Sequence, residues 1–494
     1  MWLVEHQMNE VFSLEFGQNV INLPLRESAK IVHGNALRID WEDVVSKDQL
    51  NYIIGNPPFV GAKYMSKDNR VDMSIVFEGV KSYGLLDYVS AWYLRAAQYI
   101  QDTNIEVGFV STNSISQGEQ TGVLWNEMIN EYGIKINFAH RTFQWSNDAK
   151  GKAAVHCVII GFGTHSRNDK YLFDYDEVKG EPQVRKVENI NPYLIQGPSI
   201  LLSNRSKPIC PVPSIGIGNK PIDGGLYIFS QQEKMEFIAK EPLSESLFHE
   251  FIGAAEFLYN KKRWILLLKD VSPAELRKMP FVLERIEAVR KYRLSSPSKP
   301  TIKLADTPTR FHVENFPSSK YLLIPEVTSG KRNYIPLGYI PPEVIASNLV
   351  KVSHNATLYH FGILTSSMHM SWIKNVGGRL KSDFRYSVKL IYNNFPWPKD
   401  LTDKQKQKVE TAAQAVLDTR AKYPDSSLAD LYDPLTMPPD LVKAHQALDK
   451  AVDRCYRPQP FPSERSRIEY LFQLYEEYTA PLLAATTKKT KKKK

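Results

Sequence analysis

The first 165 residues alternate between two hydrophobic rhythms. Residues 1–16 place Trp2, Leu3, Met8, Val11 and Phe12 on one face at helical spacing, which predicts an amphipathic helix. Short apolar runs at residues 30–33, 52–55 and 106–111 predict strands, and residues 87–100 and about 119–132 read as helices. The first of these two helices, DYVSAWYLRAAQYI, is apolar on most sides, as a helix lying on a sheet is. Thr112-Asn113-Ser114 reads as a helix-capping turn. Two more apolar runs, residues 136–143 and 154–162, are separated only by a polar stretch at 144–152. No crossover helix fits in that gap, so these strands are expected to pair as an antiparallel hairpin. Helices alternating with strands, closed by such a hairpin, predict an α/β sheet of Rossmann-like type.

Beyond about residue 165 the rhythm breaks. Pro and Gly clusters such as Cys210-Pro211-Val212-Pro213 interrupt short apolar runs. Helices are expected at 231–239 and 273–292, and strands near 321–327 and 334–340. This reads as a separate mixed domain that ends at Pro396-Trp397-Pro398. Residues 401–479 are strongly helical in pattern, with a proline-rich joint at 457–462. The expected domains are 1–165, 166–399 and 400–482, followed by a disordered Lys-rich tail, 483–494. No internal repeat is visible. A chain of 494 residues has room for two or three separate cores.

Composition narrows the class. The apolar share of 43% and charged share of 24% are those of a soluble globular protein. No stretch approaches the roughly 18 uncharged apolar residues of a membrane span, so no membrane partner is expected. The first residues lack the basic start and apolar core of a secretory signal. The three cysteines, Cys157, Cys210 and Cys455, lie far apart and have no metal-ligand spacing. That favours a reducing cytoplasm over a disulfide frame or a zinc site. A net charge of +9 points to an anionic partner, nucleic acid first. Part of the excess is the run at 488–494, which suits non-specific contact with DNA.

The chemistry concentrates at Asn56-Pro57-Pro58-Phe59, directly after the apolar run 52–55. An ordinary Asn-Pro turn is the plain reading. The residue types support a sharper one. An Asn side-chain oxygen and the carbonyl of the following proline both accept hydrogen bonds from an exocyclic amine. The prolines fix the backbone and offer no competing N–H. The aromatic ring then stacks on a base swung out of the duplex. In these respects the turn is similar to the motif with which amino-group methyltransferases hold their target nitrogen.

Longer strings extend the likeness. IIGNPPFVGA at 53–62, GFVSTNSISQ at 108–117, FQWSNDAKGKAAVHCVIIG at 143–161, GRLKSDFRY at 378–386 and YNNFPWP at 392–398 resemble adenine-specific DNA methyltransferases of the MmeI type. The resemblance covers nearly the whole chain. It implies a Rossmann-like, S-adenosylmethionine-dependent methyltransferase sheet, a mixed α/β target recognition domain and a helical C-terminal domain. By the same resemblance Asn56 to Phe59 would be catalytic, and Asn35, Ala36 and Leu37 would border the cofactor's adenine. Lys331, Arg332, Lys381, Asp383 and Arg385 would contact double-stranded DNA, since Lys and Arg suit the guanine edge and Asp the amino group of cytosine.

One departure qualifies the resemblance. Such enzymes hold S-adenosylmethionine with a Gly-rich turn after the first strand and an acidic residue after the second. Neither is found here, and Gly216-Ile217-Gly218 reads as a loop of the next domain. The expected sheet is therefore N-terminally incomplete, with an uncovered apolar edge, and an upstream polypeptide would carry the missing cofactor-binding half. Two rival readings stay open: a non-catalytic DNA-binding specificity subunit or inactive remnant, and a protein-glutamine methyltransferase sharing Asn-Pro-Pro-aromatic. The large domain after residue 165 and the basic charge argue against the second. His140 and Arg141 are read as sheet residues ahead of phosphate contacts, and Trp145 and Lys150-Gly151-Lys152 as hairpin-loop candidates for DNA. His354, His360 and His369 lack partners at metal spacing, so no metal is expected.

Overall fold

The computed structural model describes residues 30–145, 155–175, 180–380 and 382–491, with isolated positions between 8 and 17. Most of the helix expected at 1–16, the hairpin loop 146–154, and Lys381 lie outside the described residues. The chain divides into two compact units, Met1–Asn51 and Tyr52–Lys494.

In the first unit, residues 30–33 have no regular secondary structure and do not form the expected strand. An apolar run becomes a strand only when a neighbour accepts its backbone bonds, and among the described residues none does. The following turn is tight. Asn35 O accepts from the N–H groups of Arg38 and Ile39, Asn35 Oδ1 accepts from Leu37 N–H at 3.0 Å, and Trp41 Nε1 donates to Ala36 O at 2.7 Å.

The second unit opens on a six-stranded sheet of β1 (Tyr52–Gly55), β2 (Glu106–Thr112), β3 (Lys135–Trp145), β4 (Val155–Gly163), β5 (Lys170–Asp174) and β6 (Gln183–Val187), in the order β1-β2-β4-β3-β5-β6. β1 and β2 are parallel, and β3 and β4 form the expected antiparallel hairpin. The sheet is therefore mixed, as the α/β reading required. It also runs past residue 165. β5 pairs parallel to β3, and β6 closes antiparallel on β5, so the sheet draws in residues that the sequence pattern assigned to the next domain.

Between the strands lie α1 (Lys67–Val76), α2 (Ser90–Tyr99) and α3 (Gly118–Asn126). Tyr93 of α2 and Trp125 of α3 are fully buried and cover one face of the sheet. Tyr93 stacks on Phe162 and meets Phe109 and Trp125 edge-on, with centroids 5.3–6.2 Å apart. Each such pair adds about 0.5–1.5 kcal/mol beyond area burial. The other face is open: Tyr52 and Ile54 on β1 are 64% and 84% exposed, and Phe138 on β3, Tyr171 on β5 and Val184 on β6 are exposed beside them.

Three smaller sheets follow. One joins β14 (Ile345–Ala346), β9 (Phe248–Ile252), β10 (Arg263–Leu266) and β8 (Ile228–Ser230). A second joins β13 (Gly338–Ile340), β11 (Tyr321–Pro325), β15 (Val350–Ser353) and β7 (Gly216–Ile217). The third is β12 (Val327–Thr328), β17 (Asp383–Arg385) and β16 (Arg379–Leu380). Helices α4 (Gln231–Lys240) and α5 (Pro280–Leu294) cover the first of these, then α6 (Leu358–Leu364) and α7 (Ser367–Val376) lead toward the C-terminal part. That part holds α8 (Asp403–Ala421), α9 (Pro439–Tyr456) and α10 (Glu464–Lys491), with the expected proline-rich joint between the last two. α10 runs to Lys491, so the Lys-rich end read as a disordered tail is helical up to that point.

α7 and α9 are joined by a buried carboxylate. Asp449 accepts from the N–H and Oγ of Ser367, at 2.7 and 2.6 Å, and from Tyr334 at 2.8 Å. Among the described residues no helix is long and apolar enough to cross a membrane.

Candidate active site and nucleic-acid interface

β1 ends at Gly55 and releases the chain into residues 56–62 at the carboxyl end of a parallel strand pair. In open α/β sheets this is the end where ligands bind, because loops there converge over the strand termini. Asn56 is exposed, and its side-chain amide makes no hydrogen bond among the described residues. Pro57 is buried and anchors the turn, whereas Pro58 and Phe59 are exposed. Val60 N–H donates to Pro58 O at 3.2 Å, a three-residue turn that puts the Phe59 ring at its apex. The four residues read as catalytic thus share one turn, with the amide and the ring accessible and the backbone fixed.

The end of the turn is held from a neighbouring loop. Tyr88 N–H donates to Val60 O at 2.9 Å, and Asp87 Oδ1 accepts from Ala62 N–H at 2.9 Å. Asp87 Oδ2 accepts from Ser114 Oγ at 2.6 Å, just after β2. The sequence pattern missed Asp87, reading it only as the start of a helix. An acidic residue there is an ordinary boundary signal, and its reach across 25 residues leaves no local trace.

Asn35, Ala36 and Leu37 form the tight turn of the first unit, and Leu37 is buried. A cofactor cradle also needs glycines with room beside the backbone. Among the described residues the Gly-x-Gly at 216–218 does not supply it. Gly216 and Ile217 are β7, and a Cβ on Gly218 would lie 2.3 Å from Ser347 O and 2.6 Å from Ala346 O. That glycine serves close strand packing and not a cofactor turn.

The four described candidate DNA contacts, Lys331, Arg332, Asp383 and Arg385, fall around the three-stranded sheet. Asp383 and Arg385 lie on β17; Lys381 is outside the described residues. Asp383 Oδ1 accepts from Gly330 N–H at 3.2 Å, which ties this hairpin to the loop carrying Lys331. Lys331 is exposed; Arg332 is only 7% exposed and donates to Thr328 Oγ1, so its side chain buttresses the loop from inside. Arg385 is largely exposed, and its Nε donates to Glu326 Oε1 at 3.2 Å. Burial of Glu326 opposes its ionisation, but Lys351 and Arg385 outweigh that and hold the carboxyl below its usual range.

His140 stacks on Phe173 with centroids 4.0 Å apart, and its Nδ1 shares a hydrogen bond with Tyr175 at 2.8 Å. Burial lowers its pKa. Arg141 is committed to Asp174, at 2.8 Å, and to Asn375 Oδ1, at 2.6 Å. Both are thus engaged within the sheet and its neighbours. His369 is fully buried beside Tyr386, 2.9 Å away, and its pKa falls to about 3 through burial. Among the described residues no cluster of three potential metal ligands occurs.

Comparison with known proteins accounts for nearly every residue. The MmeI DNA-methyltransferase domain matches residues 1–174, the MmeI target recognition domain residues 196–399 and the MmeI C-terminal domain residues 401–483. DNA methyltransferase A of Bacillus subtilis (strain 168) is 42% identical over 483 residues, which is 97% of this chain and 54% of that protein. The chain thus spans about half the length of this curated relative. The solved structure of the Type IIL restriction–modification enzyme MmeI in complex with DNA superposes with a TM-score of 0.82 at 47% identity, covering 97% of this chain and 64% of that one. Together the three MmeI domain models match nearly the whole chain, and this chain belongs to the MmeI family.

Proposed function

We propose that this chain presents an adenine amino group, flipped from double-stranded DNA, for methylation at N6, with S-adenosylmethionine as the methyl donor. The observation that carries this reading is the Asn56–Phe59 turn at the carboxyl end of β1, with its amide and ring accessible. Asn56 Oδ1 and the Pro57 carbonyl accept the two amine hydrogens, which aims the nitrogen lone pair, and Phe59 stacks on the base. These residues supply orientation and electrostatic preference; no covalent intermediate on the protein is required. Asn56→Ala is expected to lower methyl transfer about a hundredfold or more while DNA affinity holds. A near-normal rate, measured on adenine-containing duplex with the cofactor half supplied, would remove this role from the motif.

The recognition hairpin would read bases through Lys381 and Asp383, with Lys331 and Arg385 beside them. Substituting Lys381 and Asp383 together is expected to shift preference at one base pair by about 1–3 kcal/mol. A selection of bound sequences that returns the same site from the double variant would return these residues to ordinary surface charge.

The open edge of β1 and the open sheet face would be covered by an upstream polypeptide that adds a strand and completes the cofactor site. The exposure of Tyr52 and Ile54 supports this, because a bare apolar edge invites pairing. A second reading, a DNA-binding specificity subunit or inactive remnant, is favoured by the occupied space at Gly218. Calorimetry separates the two: micromolar binding of S-adenosylmethionine by this chain alone would exclude the second reading and show that no partner is needed for the cofactor.

A further inference from the structure

The turn bearing Asn56 and the hairpin bearing Asp383 are far apart in sequence, yet both are fastened to the first turn of α3. On the catalytic side, Asp87 receives Ala62 N–H and Ser114 Oγ on its two carboxylate oxygens, and its own N–H donates to Gln120 Oε1 at 2.8 Å. Ser114 also shares a 2.8 Å hydrogen bond with Thr112, so the loop after β2 is included in the same fixture. On the recognition side, Gln117 does not cap the helix with its side chain; its Oε1 accepts from Arg379 Nε at 3.4 Å. Arg379 lies 4.3 Å over the Phe384 ring and donates to Ser382 O at 3.2 Å, which braces the hairpin internally. Between them Gly118, at φ +71°, lies backbone to backbone with Gly378, where a Cβ would stand 3.1 Å from Gly378 Cα.

We propose that the first turn of α3 is a common anchor for the two loops, with Asp87 and Arg379 as its positioning residues, so that the reacting amine and the bases read by the hairpin keep a fixed separation. The mechanical part of this stands on contacts alone; its meaning for methylation rests on the function proposed above. Neither residue touches substrate in this account. Each holds a segment that does.

Amide hydrogen exchange on the full chain, without DNA or cofactor, tests it. Asp87→Ala is expected to speed exchange about tenfold across residues 57–64, the amount one lost charge-assisted hydrogen bond allows. Asp87→Asn is expected to keep protection, because its oxygen still accepts from Ala62 and its amide nitrogen donates to Ser114 Oγ. A role in general stability alone would instead speed exchange throughout the chain in Asp87→Ala. Arg379→Ala should speed exchange in residues 379–385, and Gly118→Ala, which adds both a clash and a strained φ, should speed both segments. Should Asp87→Ala or Gly118→Ala fail to fold, Ser114→Ala and Gln120→Ala remove single side-chain bonds to the same fixture and are read over residues 57–64. Unchanged exchange at 57–64 in these folded variants, or Gly118→Ala disturbing one segment only, overturns the common anchor. Exchange is read without chemistry, so absent methylation would count against the proposed function and leave this result standing.

Discussion

Two apolar strands of similar sequence meet opposite fates in this molecule. β11, Tyr321-Leu322-Leu323-Ile324-Pro325, is buried at every position. β13 and β15 flank it, and its two faces enter different cores: Leu322 and Ile324 one, Tyr321 and Leu323 the other. β1, Tyr52-Ile53-Ile54-Gly55, has a partner on one side only among the described residues, and Ile54 is almost wholly exposed. An apolar run announces that a strand is built for burial on both faces; it does not say which polypeptide does the burying. Where the chain supplies two cores the strand is central, and where it supplies one the apolar residues of the strand stay exposed.

The largest expected effects test this contrast directly. Leu323→Ala should cost about 2–5 kcal/mol, since a fully enclosed leucine leaves a cavity. Ile54→Ala should change stability by no more than about 0.5 kcal/mol, because its side chain already meets water. Chemical denaturation midpoints of the two variants give the comparison. Equal losses would mean that Ile54 is covered in the folded chain. If an upstream polypeptide completes the sheet, the Ile54 variant should become costly in its presence and the two strands should converge. A charge there, as in Ile54→Asp, should then block the association.

How much was legible follows from the same contrast. The hairpin of β3 and β4, the parallel start of the sheet and the Asn56 turn are local patterns with local causes, and each was readable. The run at 30–33 has the right residues but no neighbouring strand among the described residues, so apolar content misled. β5 and β6 lie beyond the break in rhythm at residue 165, because their alternation is short and their partners are distant. Gly216 and Gly218 looked like a loop; the backbone of residues 346 and 347 packed against Gly218 explains the glycine there. Asp87 and Arg379 were invisible for a different reason. Each acts by reaching an element far along the chain, and nothing in its neighbours' identity records that.

The seam between the two regions should give a smaller, pH-dependent effect. Asp174 on β5 is buried and receives Arg141 at 2.8 Å and Arg185 at 3.1 Å; Arg465 of α10 lies 3.3 Å away. Arg185 also reaches Glu469 of α10, at 3.2 Å, so the open sheet is clamped to the fully packed helical part. Burial alone would raise the Asp174 pKa, but the charges and hydrogen bonds of Arg141 and then Arg185 outweigh it and hold the carboxyl below its usual range. A depressed pKa in the folded state means that the stabilisation is fully present above the unfolded value, about 3.9. It is lost as pH falls through the lower folded value. Asp174→Asn should therefore cost about 1–3 kcal/mol at neutral pH. It should also flatten the acid limb of the stability profile, because one carboxylate no longer takes up a proton on unfolding. Thermal unfolding of the two proteins between neutral pH and pH 3 is the measurement. An unchanged acid slope in the variant would mean that Asp174 is not the group that locks the sheet to α10.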